Sequence, residues 1–403
     1  WPRERLDEAQ RLLRDTPGVT VLIYDQQCAA NARRLRKRGK LTPRPTRVVI
    51  NEEVCEGCGD CGVKSNCLSV QPVDTDLGRK TRIDQTSCNT DYSCLQGDCP
   101  SFVTVTAESD GSVTGSRRQP PPSPPAVPDV DVRRVATDVF MAGVGGTGIV
   151  TVNQVLATAA VTAGYDVTGL DQIGLSQKAG PVVSHLRLSL DGQPPANRVS
   201  QGAADLFLGF DLLVSADPKN VARAEATRTT VVASTSRTPT GDMVADPAIG
   251  YPDDAALLAR LSDDAKAVIT FDAHDVAHRL FGSVETANLL LVGGAYQAGA
   301  VPIPADAIEA AIRLNGVAVD ANIAAFRWGR AIVADPGHLP GAPGTQRRQP
   351  SAATERRIAS SGISGEVRRV VDDRAARLEA FQSTRLALDY VDLVSAVWQA
   401  ERS

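Results

Sequence analysis

The stretch ATDVFMAGVGGTGIVTVNQVLATAAVTAG, residues 136–164, decides the fold. Its first eight residues are mostly apolar and predict a buried strand, whereas residues 147–164 predict a helix. A glycine-rich turn joins the two elements. Strands and helices keep alternating after this unit, which predicts an α/β domain with a mostly parallel, Rossmann-like sheet.

Further elements of this domain follow along the chain. Apolar runs predict five more strands, at residues 166–170, 182–190, 212–217, 230–235 and 267–273. Two segments predict helices: residues 252–261 open with Pro and acidic residues, and residues 304–316 have Pro near the start and Gly at the end. We expect the whole domain to occupy residues 131–335.

The composition excludes several classes of protein. The 403 residues include 43 Lys and Arg against 47 Asp and Glu, for a net charge of -4, which argues against a nucleic-acid-binding protein. No apolar run approaches the roughly 20 residues that span a bilayer, so we expect no membrane association. No signal-peptide pattern follows Trp1, so we expect a cytoplasmic protein whose clustered cysteines bind metal rather than form disulfides.

The glycine-rich turn has two alternative interpretations. Gly143, Gly145, Gly146 and Gly148 fit the GxGxxG pattern between a strand and a helix, which is typical of dinucleotide sites. Asp171 follows at about the distance expected of a ribose-binding acid. The turn therefore permits NAD or FAD binding, or serves only to pack the helix closely on the sheet.

Few polar residues outside the cysteine region suggest a site. Gln177, Lys178 and His185 surround an Ala-Gly-Pro segment at the start of a strand, where α/β domains often bind ligands. We take them as a candidate substrate or domain-interface loop, although His185 is also explained as a core histidine. His274 and His278 are four residues apart, but no HExxH motif or third ligand accompanies them.

Seven of the eight cysteines fall within residues 46–105. Cys55, Cys58 and Cys61 form CxxCxxC, and Cys99 is followed by proline, which is the ligand pattern of a [4Fe–4S] cluster in ferredoxins. Structural zinc is the alternative, but it typically uses two separated CxxC pairs.

Cys67, Cys88 and Cys94 are a candidate second site. In two-cluster ferredoxins the last cysteine of each motif serves the other cluster, which would join Cys67 to the other two. Three thiolates leave open a three-iron cluster, a cubane with a non-cysteine or remote ligand such as Cys28, or buried thiols without metal.

The chain divides by composition into five segments. We expect the end of an upstream domain at 1–45, an iron–sulfur segment at 46–110, a Pro-rich linker at 111–130, the α/β domain at 131–335, and a linker with the helical start of another domain at 336–403. The first segment contains a predicted helix, a predicted strand (VTVLIYD, residues 19–25) and the basic run RRLRKRGK. That run is either a solvated face or a docking strip for an acidic partner.

Long motifs resemble the fused indolepyruvate ferredoxin oxidoreductases. Residues 50–102, INEEVCEGCGD through GDCPSF, are similar to their ferredoxin segment. MAGVGGTGIVTVNQVL, GLDQIGLSQKAGPVVSHLRL, GAYQAG and NIAAFRWGR resemble their gamma-type domain, and VLIYDQQCAANARRLRKRGK resembles the end of their thiamine-diphosphate domain.

The resemblance implies oxidative decarboxylation of aryl-pyruvates, with thiamine diphosphate and Mg²⁺ in an upstream domain. Coenzyme A would accept the acyl group and ferredoxin the electrons, through one or two [4Fe–4S] clusters. The other domains of the same enzyme are implied partners, and the complete enzyme is expected to be a homodimer. The thiamine motif, GDG followed by Asn, is absent from this sequence. The chain would therefore supply electron relay and scaffold without decarboxylating, and the glycine-rich turn would serve packing.

Two other functions remain as alternatives. One is a flavin- or NAD-dependent oxidoreductase fed by a ferredoxin domain, and the other is a zinc-stabilised scaffold without a redox role. No residue of this chain is predicted to be catalytic.

Overall fold

The chain forms two compact units, residues 1–338 and residues 339–403. A computed structural model describes residues 1–65, 67–75, 78–97, 99–106, 121–174, 180–190, 192, 196–246, 248–339 and 349–402.

A six-stranded mixed sheet organises the α/β domain, as the alternation of strands and helices predicted. Its strand order is β10-β9-β8-β5-β7-β6, and β5, β8, β9 and β10 run parallel. β7 lies antiparallel between β5 and β6. The strands are β5 (Thr137–Val144), β6 (Asp166–Ile173), β7 (Pro181–Ser189), β8 (Leu206–Gly209), β9 (Thr230–Ser234) and β10 (Ala267–Phe271).

Helices cover both faces of this sheet. Val139 and Met141 of β5 belong to one apolar cluster together with residues of α4, α10, α11 and α12. Phe140 and Ala142 belong to a second cluster with residues of α5 and α8, because successive side chains of a strand point to opposite faces. The helices are α4 (Ile149–Thr162), α5 (Leu212–Ser215), α6 (Pro218–Val221), α7 (Gly241–Ala245), α8 (Asp254–Asp263), α9 (Ala273–Phe281), α10 (Ala287–Gln297), α11 (Ala305–Asn315) and α12 (Val319–Ala334).

One predicted strand of this domain is wrong. Residues 212–217 were expected to be extended, but Leu212–Ser215 is the short helix α5, and β8 precedes it. The backbone N–H of Val214 donates to Asp211 Oδ1 at 2.9 Å, so Asp211 caps the helix and divides the apolar run in two.

The cysteine-rich region contains two small antiparallel sheets. β1 (Thr46–Ile50) pairs with β4 (Phe102–Thr106), and β2 (Val70–Thr75) pairs with β3 (Gly78–Ile83). The short helix α3 (Asp60–Ser65) begins at the end of the CxxCxxC motif and contains Cys61, and a 3₁₀ turn, Ser93–Gln96, contains Cys94. Five cysteines lie in or against the apolar cluster of this region: Cys55, Cys61, Cys67, Cys88 and Cys94.

The first forty-five residues contain helices but no strand. α1 (Leu6–Asp15) confirms the predicted helix, and α2 (Ala29–Lys37) precedes β1. Residues 19–25 were predicted to be a strand and are not one. Val19 is 99% exposed and Ile23 is 85% exposed. Among the described residues, no strand lies beside this segment to form the hydrogen bonds of a sheet.

Part of the Pro-rich segment packs on the α/β domain. Trp328 Nε1 donates to the carbonyl oxygen of Pro122 at 2.9 Å, and Gln297 Nε2 donates to that of Pro128 at 3.1 Å. The described half of the predicted linker is therefore fastened to α12 and α10. Within the described ranges, none of the helices combines the length and the apolar character that a bilayer span needs.

The second unit is helical, as predicted. Val391 is fully buried there, Val394 and Trp398 pack against the same apolar cluster, and Val397 is half exposed. Its helices are α13 (Ala352–Ser360), α14 (Gly365–Phe381) and α15 (Thr384–Ala400).

Candidate functional site

Three thiols of the CxxCxxC motif lie together at the start of α3. Cys55 is buried, Cys61 is half-buried and Cys58 is exposed. Burial raises the pKa of Cys61, and the nearby Cys55 and Cys58 raise it further. The backbone N–H of Gly57 donates to Cys55 Sγ at 3.3 Å. Thiolates crowded in this way need a cationic partner to offset their mutual repulsion.

A second group of thiols lines a small cavity in the cysteine region. Cys67, Cys88 and Cys94 line it together with Asp91. Burial raises the pKa of Cys94 to about 11, and Cys88, Cys67 and Asp91 each add to this effect. The backbone N–H of Thr90 donates to Cys88 Sγ at 3.4 Å. The chain thus brings together the three cysteines that the sequence left as a candidate second site.

The two remaining cysteines differ in their surroundings. Cys99 is half-buried, and its Sγ lies 3.0 Å from Ser101 Oγ. The place of Cys99 in the first site remains a prediction. Cys28 is exposed and precedes α2.

Both groups consist of thiols, the donor set that iron–sulfur clusters use. Among the described residues, no three His, Cys, Asp or Glu side chains are arranged to hold one ion. A cubane instead binds each thiolate to a different iron, which keeps the sulfurs further apart than a zinc ion would. Two separate groups of thiols, each partly buried, suit the cubane.

The first cysteine loop, residues 55–61, packs against the α/β domain. Gly62, directly after Cys61, lies so close to α7 that a β-carbon there would be 2.3 Å from the Val244 carbonyl oxygen. Arg79 donates to the carbonyl oxygens of Met243 at 2.5 Å and Ile249 at 3.1 Å. Val244 itself belongs to the apolar cluster of the cysteine region. The α/β domain therefore completes the core around the thiols.

Arginines of the basic run and of the segment after it contact the second cysteine loop, residues 84–94. Each donates from its guanidinium to a backbone carbonyl of that loop, and an open groove between them reaches Cys88. The pairs are Arg33 with Thr86, Arg36 with Asn89, and Arg44 with Thr90. The basic run is therefore not entirely solvated. Two of its arginines, Arg33 and Arg36, contact the second cysteine loop, so they are not available to an acidic partner. No local sequence pattern indicates these contacts, because they join residues about fifty positions apart.

The glycine-rich turn is tightly packed where it leaves the sheet. A β-carbon at Gly143 would lie 2.8 Å from Ile149 Cδ1 and 2.9 Å from Phe210 Cβ. Gly148 begins α4 with a φ of 101°, a conformation that side chains disfavour. The N–H of Gly145 donates to the Gly180 carbonyl oxygen at 2.7 Å. The first and last glycines are thus explained by packing and backbone conformation.

The candidate ribose-binding acid does not stand where a dinucleotide fold needs it. In that fold the acid follows the strand next to the glycine-rich one, but here β7 separates β5 from β6. Asp171 lies within β6, and its Oδ1 accepts hydrogen bonds from Asn153 Nδ2 at 2.8 Å and Ser184 Oγ at 2.5 Å. The Rossmann arrangement of turn and acid is therefore absent from the described sheet.

His185 is a core residue of β7. It is 1% exposed, its Nδ1 accepts the Val199 N–H at 3.1 Å, and its Nε2 lies 3.4 Å from Gln172 Oε1. Burial lowers its pKa to about 4, with smaller contributions from Arg223 and Arg198. A neutral, structural histidine accounts for this geometry. The other two residues of that candidate loop, Gln177 and Lys178, lie outside the described residues.

The α/β domain matches a known family of redox enzymes. Residues 138–332 match the family described as pyruvate ferredoxin/flavodoxin oxidoreductase. The cysteine region lies outside this match. These residues are therefore similar to subunits of 2-oxoacid:ferredoxin oxidoreductases.

Curated relatives narrow the likeness further. The indolepyruvate oxidoreductase subunit IorB of Methanothermobacter thermautotrophicus is 26% identical over 202 residues, which are 49% of this chain and 98% of that protein. IorB of Archaeoglobus fulgidus is 27% identical, covering 48% of this chain and 92% of the relative. The corresponding values for Pyrococcus horikoshii IorB are 29%, 48% and 93%. The α/β domain is homologous to these subunits.

Solved structures resemble the same half of the chain. Pyruvate oxidoreductase subunit PORC of Thermotoga maritima has 18% identity and a TM-score of 0.35, covering 49% of this chain and 96% of that one. A keto/oxoacid ferredoxin oxidoreductase gamma subunit of Geobacter sulfurreducens has 18% identity and a TM-score of 0.34, covering 49% and 98%. At these scores the structural likeness adds nothing to the sequence comparisons.

Proposed function

We propose that the chain is the iron–sulfur electron-relay and scaffold portion of an indolepyruvate:ferredoxin oxidoreductase. One observation supports it most. Two groups of cysteine thiols share a core with a domain homologous to 2-oxoacid:ferredoxin oxidoreductase subunits. Val244 of that domain lies within the same core.

We assign the cysteines of the chain to two iron–sulfur clusters. Cys55, Cys58, Cys61 and Cys99 hold one [4Fe–4S] cluster, and Cys67, Cys88 and Cys94 belong to a second. Such clusters, when bound, accept and pass on single electrons. The apolar cluster around the thiols excludes water from the buried side, which keeps the thiolates from exchanging protons or metal with solvent.

The rest of the enzyme would supply the carbon chemistry. We assign thiamine diphosphate and Mg²⁺ to an upstream domain, because the thiamine motif is absent from this sequence. An aryl-pyruvate loses CO₂ there, coenzyme A takes the acyl group and ferredoxin takes the electrons. We further propose that the complete enzyme is a cytoplasmic homodimer and that the α/β domain acts as scaffold without nicotinamide chemistry.

The visible spectrum of the anaerobically purified chain tests this function. We expect a broad brown absorption that bleaches when dithionite is added. A structured flavin band would favour the flavin-dependent alternative, and a colourless protein with bound zinc would favour the zinc-stabilised scaffold. Iron and acid-labile sulfide, measured on the same sample, check that the colour comes from clusters.

A further inference from the structure

The cysteine region is an internal repeat with an offset of 33 residues. Ile50 and Ile83 are both buried at the end of a strand, and each precedes the first cysteine of a loop by five residues. The N–H of Cys55 donates to the Asn51 carbonyl oxygen at 3.0 Å, and that of Cys88 to the Asp84 carbonyl oxygen at 3.1 Å. The first and second cysteine loops therefore begin in the same way.

Side-chain hydrogen bonds repeat the correspondence. The N–H of Glu53 donates to Asn51 Oδ1 at 3.1 Å, and the N–H of Thr86 donates to Asp84 Oδ1 at 3.0 Å. The N–H···S bond from Gly57 to Cys55 likewise has its counterpart, 33 residues on, in the bond from Thr90 to Cys88.

The backbone around Asp91 matches that around Cys58. Gly57 and Gly59, on either side of Cys58, have φ values of 71° and 80°. Their counterparts Thr90 and Tyr92 have φ values of 54° and 64°, although neither is glycine. Such values are unfavourable for residues with a side chain and persist where the surroundings require them. Asp91 thus occupies the loop position that Cys58 occupies in CxxCxxC.

Each half of the repeat is also hydrogen-bonded to the end of the other half. The N–H of Asn51 donates to the Ser101 carbonyl oxygen and the N–H of Asp84 to the Ser69 carbonyl oxygen, each at 2.7 Å. These serines follow Cys99 and Cys67 by two residues. The start of each cysteine loop is therefore hydrogen-bonded to the segment that contains the last cysteine of the other half. This places Cys67 beside the second cysteine loop.

We propose that Asp91 is the fourth ligand of the second iron–sulfur site, together with Cys67, Cys88 and Cys94. All four residues line the same cavity. This inference rests on the proposed function, since it needs clusters to be bound. Asp91 Oδ1 also accepts hydrogen bonds from Ser93 N–H at 3.3 Å and Ser93 Oγ at 3.0 Å, so a merely local role is the alternative to exclude.

A carboxylate makes one iron of this site exchangeable. Iron–sulfur clusters are held by soft thiolates, and a carboxylate oxygen is a harder ligand that suits other metals better. Asp91 is also exposed, so solvent reaches its iron. Oxidation of the four-iron cluster would then release Fe²⁺ from Asp91 and leave a three-iron cluster, with one electron passing to the oxidant.

The test adds one equivalent of ferricyanide to the anaerobic full chain. We expect the wild type to fall from about eight irons to about seven, and to gain the EPR signal of an oxidised three-iron cluster. Asp91→Cys should keep about eight irons and show at least a tenfold smaller signal. Asp91→Asn, which preserves the bond to Ser93, should hold about seven irons before any oxidant is added. Asp74→Cys, with its thiol exposed on β2, is the matched control and should behave as the wild type.

The outcomes separate this inference from the proposed function. Wild-type protein without iron would refute the function itself. Protein with two clusters in which wild type, Asp91→Cys and Asp91→Asn lose iron equally would refute the role of Asp91 alone. So would unchanged iron content in Cys88→Ala, because the second site would then hold no cluster. The reciprocal variant Cys58→Asp should make the first cluster lose iron to ferricyanide.

Discussion

Gly62 and Val244 are in backbone contact, although 182 positions separate them in the chain. A β-carbon on Gly62 would approach the Val244 carbonyl oxygen to 2.3 Å and its carbonyl carbon to 3.1 Å. Both neighbours are backbone atoms, so no side-chain rotation relieves the contact. The cysteine region and the α/β domain therefore meet at a point that admits no side chain.

Gly62→Ala should separate these two parts. Overpacking of this kind costs about 1–3 kcal/mol, and each kcal/mol corresponds to about 2–4 °C in Tm for a domain of this size. Calorimetry and iron content, measured together, should show a lower Tm and weaker cluster retention. Gly241→Ala is the matched control, because a β-carbon there meets nothing within 4 Å. Equal Tm values for the two variants would contradict the close contact.

Cys58→Ala should lose about four irons per chain, since removal of a thiolate destabilises the cubane that it binds. The apolar cluster around Cys55 should loosen with it, because cluster binding is coupled to folding. Iron and sulfide analysis measures the loss. Cys28→Ala, an exposed position outside both thiol groups, should retain its iron. Unchanged iron content in Cys58→Ala would remove the first site from the proposal.

The glycine-rich turn should bind no dinucleotide. Fluorescence or calorimetric titration with NADH, NADPH and FAD should give nothing tighter than about 1 mM, or about 4 kcal/mol. The physical reason is the separation of β5 from β6 by β7, which removes the acid from beside the turn. Micromolar binding that Gly145→Val abolishes would support the flavin- or NAD-dependent alternative.

His185 should make the stability of the α/β domain depend on pH. Its pKa of about 4 in the folded chain lies below the ordinary value of 6.5, so the unfolded chain binds the proton more readily. Stability is then complete above pH 6.5 and falls as the pH drops towards 4, by up to about 3 kcal/mol. Urea titrations at several pH values measure this slope. His185→Gln should flatten it.

The chain alone should not decarboxylate indolepyruvate, even with added thiamine diphosphate. Loss of CO₂ from a 2-oxoacid needs an electron sink that thiamine provides, and the sequence lacks its binding motif. Dithionite should nevertheless reduce the chain. A longer protein that includes the thiamine domain should reduce ferredoxin in the presence of substrate, most strongly with aromatic 2-oxoacids. Turnover by the chain alone would contradict the division of labour, while a preference for pyruvate would change only the substrate.

Three of the four parallel strands could be predicted because their signals are local. β5, β9 and β10 are apolar runs next to turns, and α8 and α11 carry helix-start residues and amphipathic spacing. α10 escaped prediction because ten of its eleven residues are buried, which removes the alternation of polar and apolar faces. The hydrophobic run at residues 212–217 favours a strand, because hydrophobicity alone does not reveal that the Asp211 side chain caps α5.

The candidate site was predicted only where spacing is diagnostic. CxxCxxC identified Cys55, Cys58 and Cys61 directly, whereas the second loop lacked a cysteine at its middle position. The signal in the second loop is the equal spacing of Cys88, Asp91 and Cys94, which a motif made of cysteines alone does not contain. The arginine contacts and the approach of Val244 depend on tertiary packing and left no pattern in the sequence.

The place of β7 has a consequence for synthesis on the ribosome. β5 and β6 emerge first, but the strand that joins them is made last of the three and ends at Ser189. Until then the β5 edge facing β6 has no hydrogen-bonding partner, and open strand edges favour pairing with other chains. On the other side of β5, β8 arrives later still. The nascent chain therefore exposes both edges of a largely buried strand for at least the forty-five residues from Val144 to Ser189, which is a window in which a chaperone would bind.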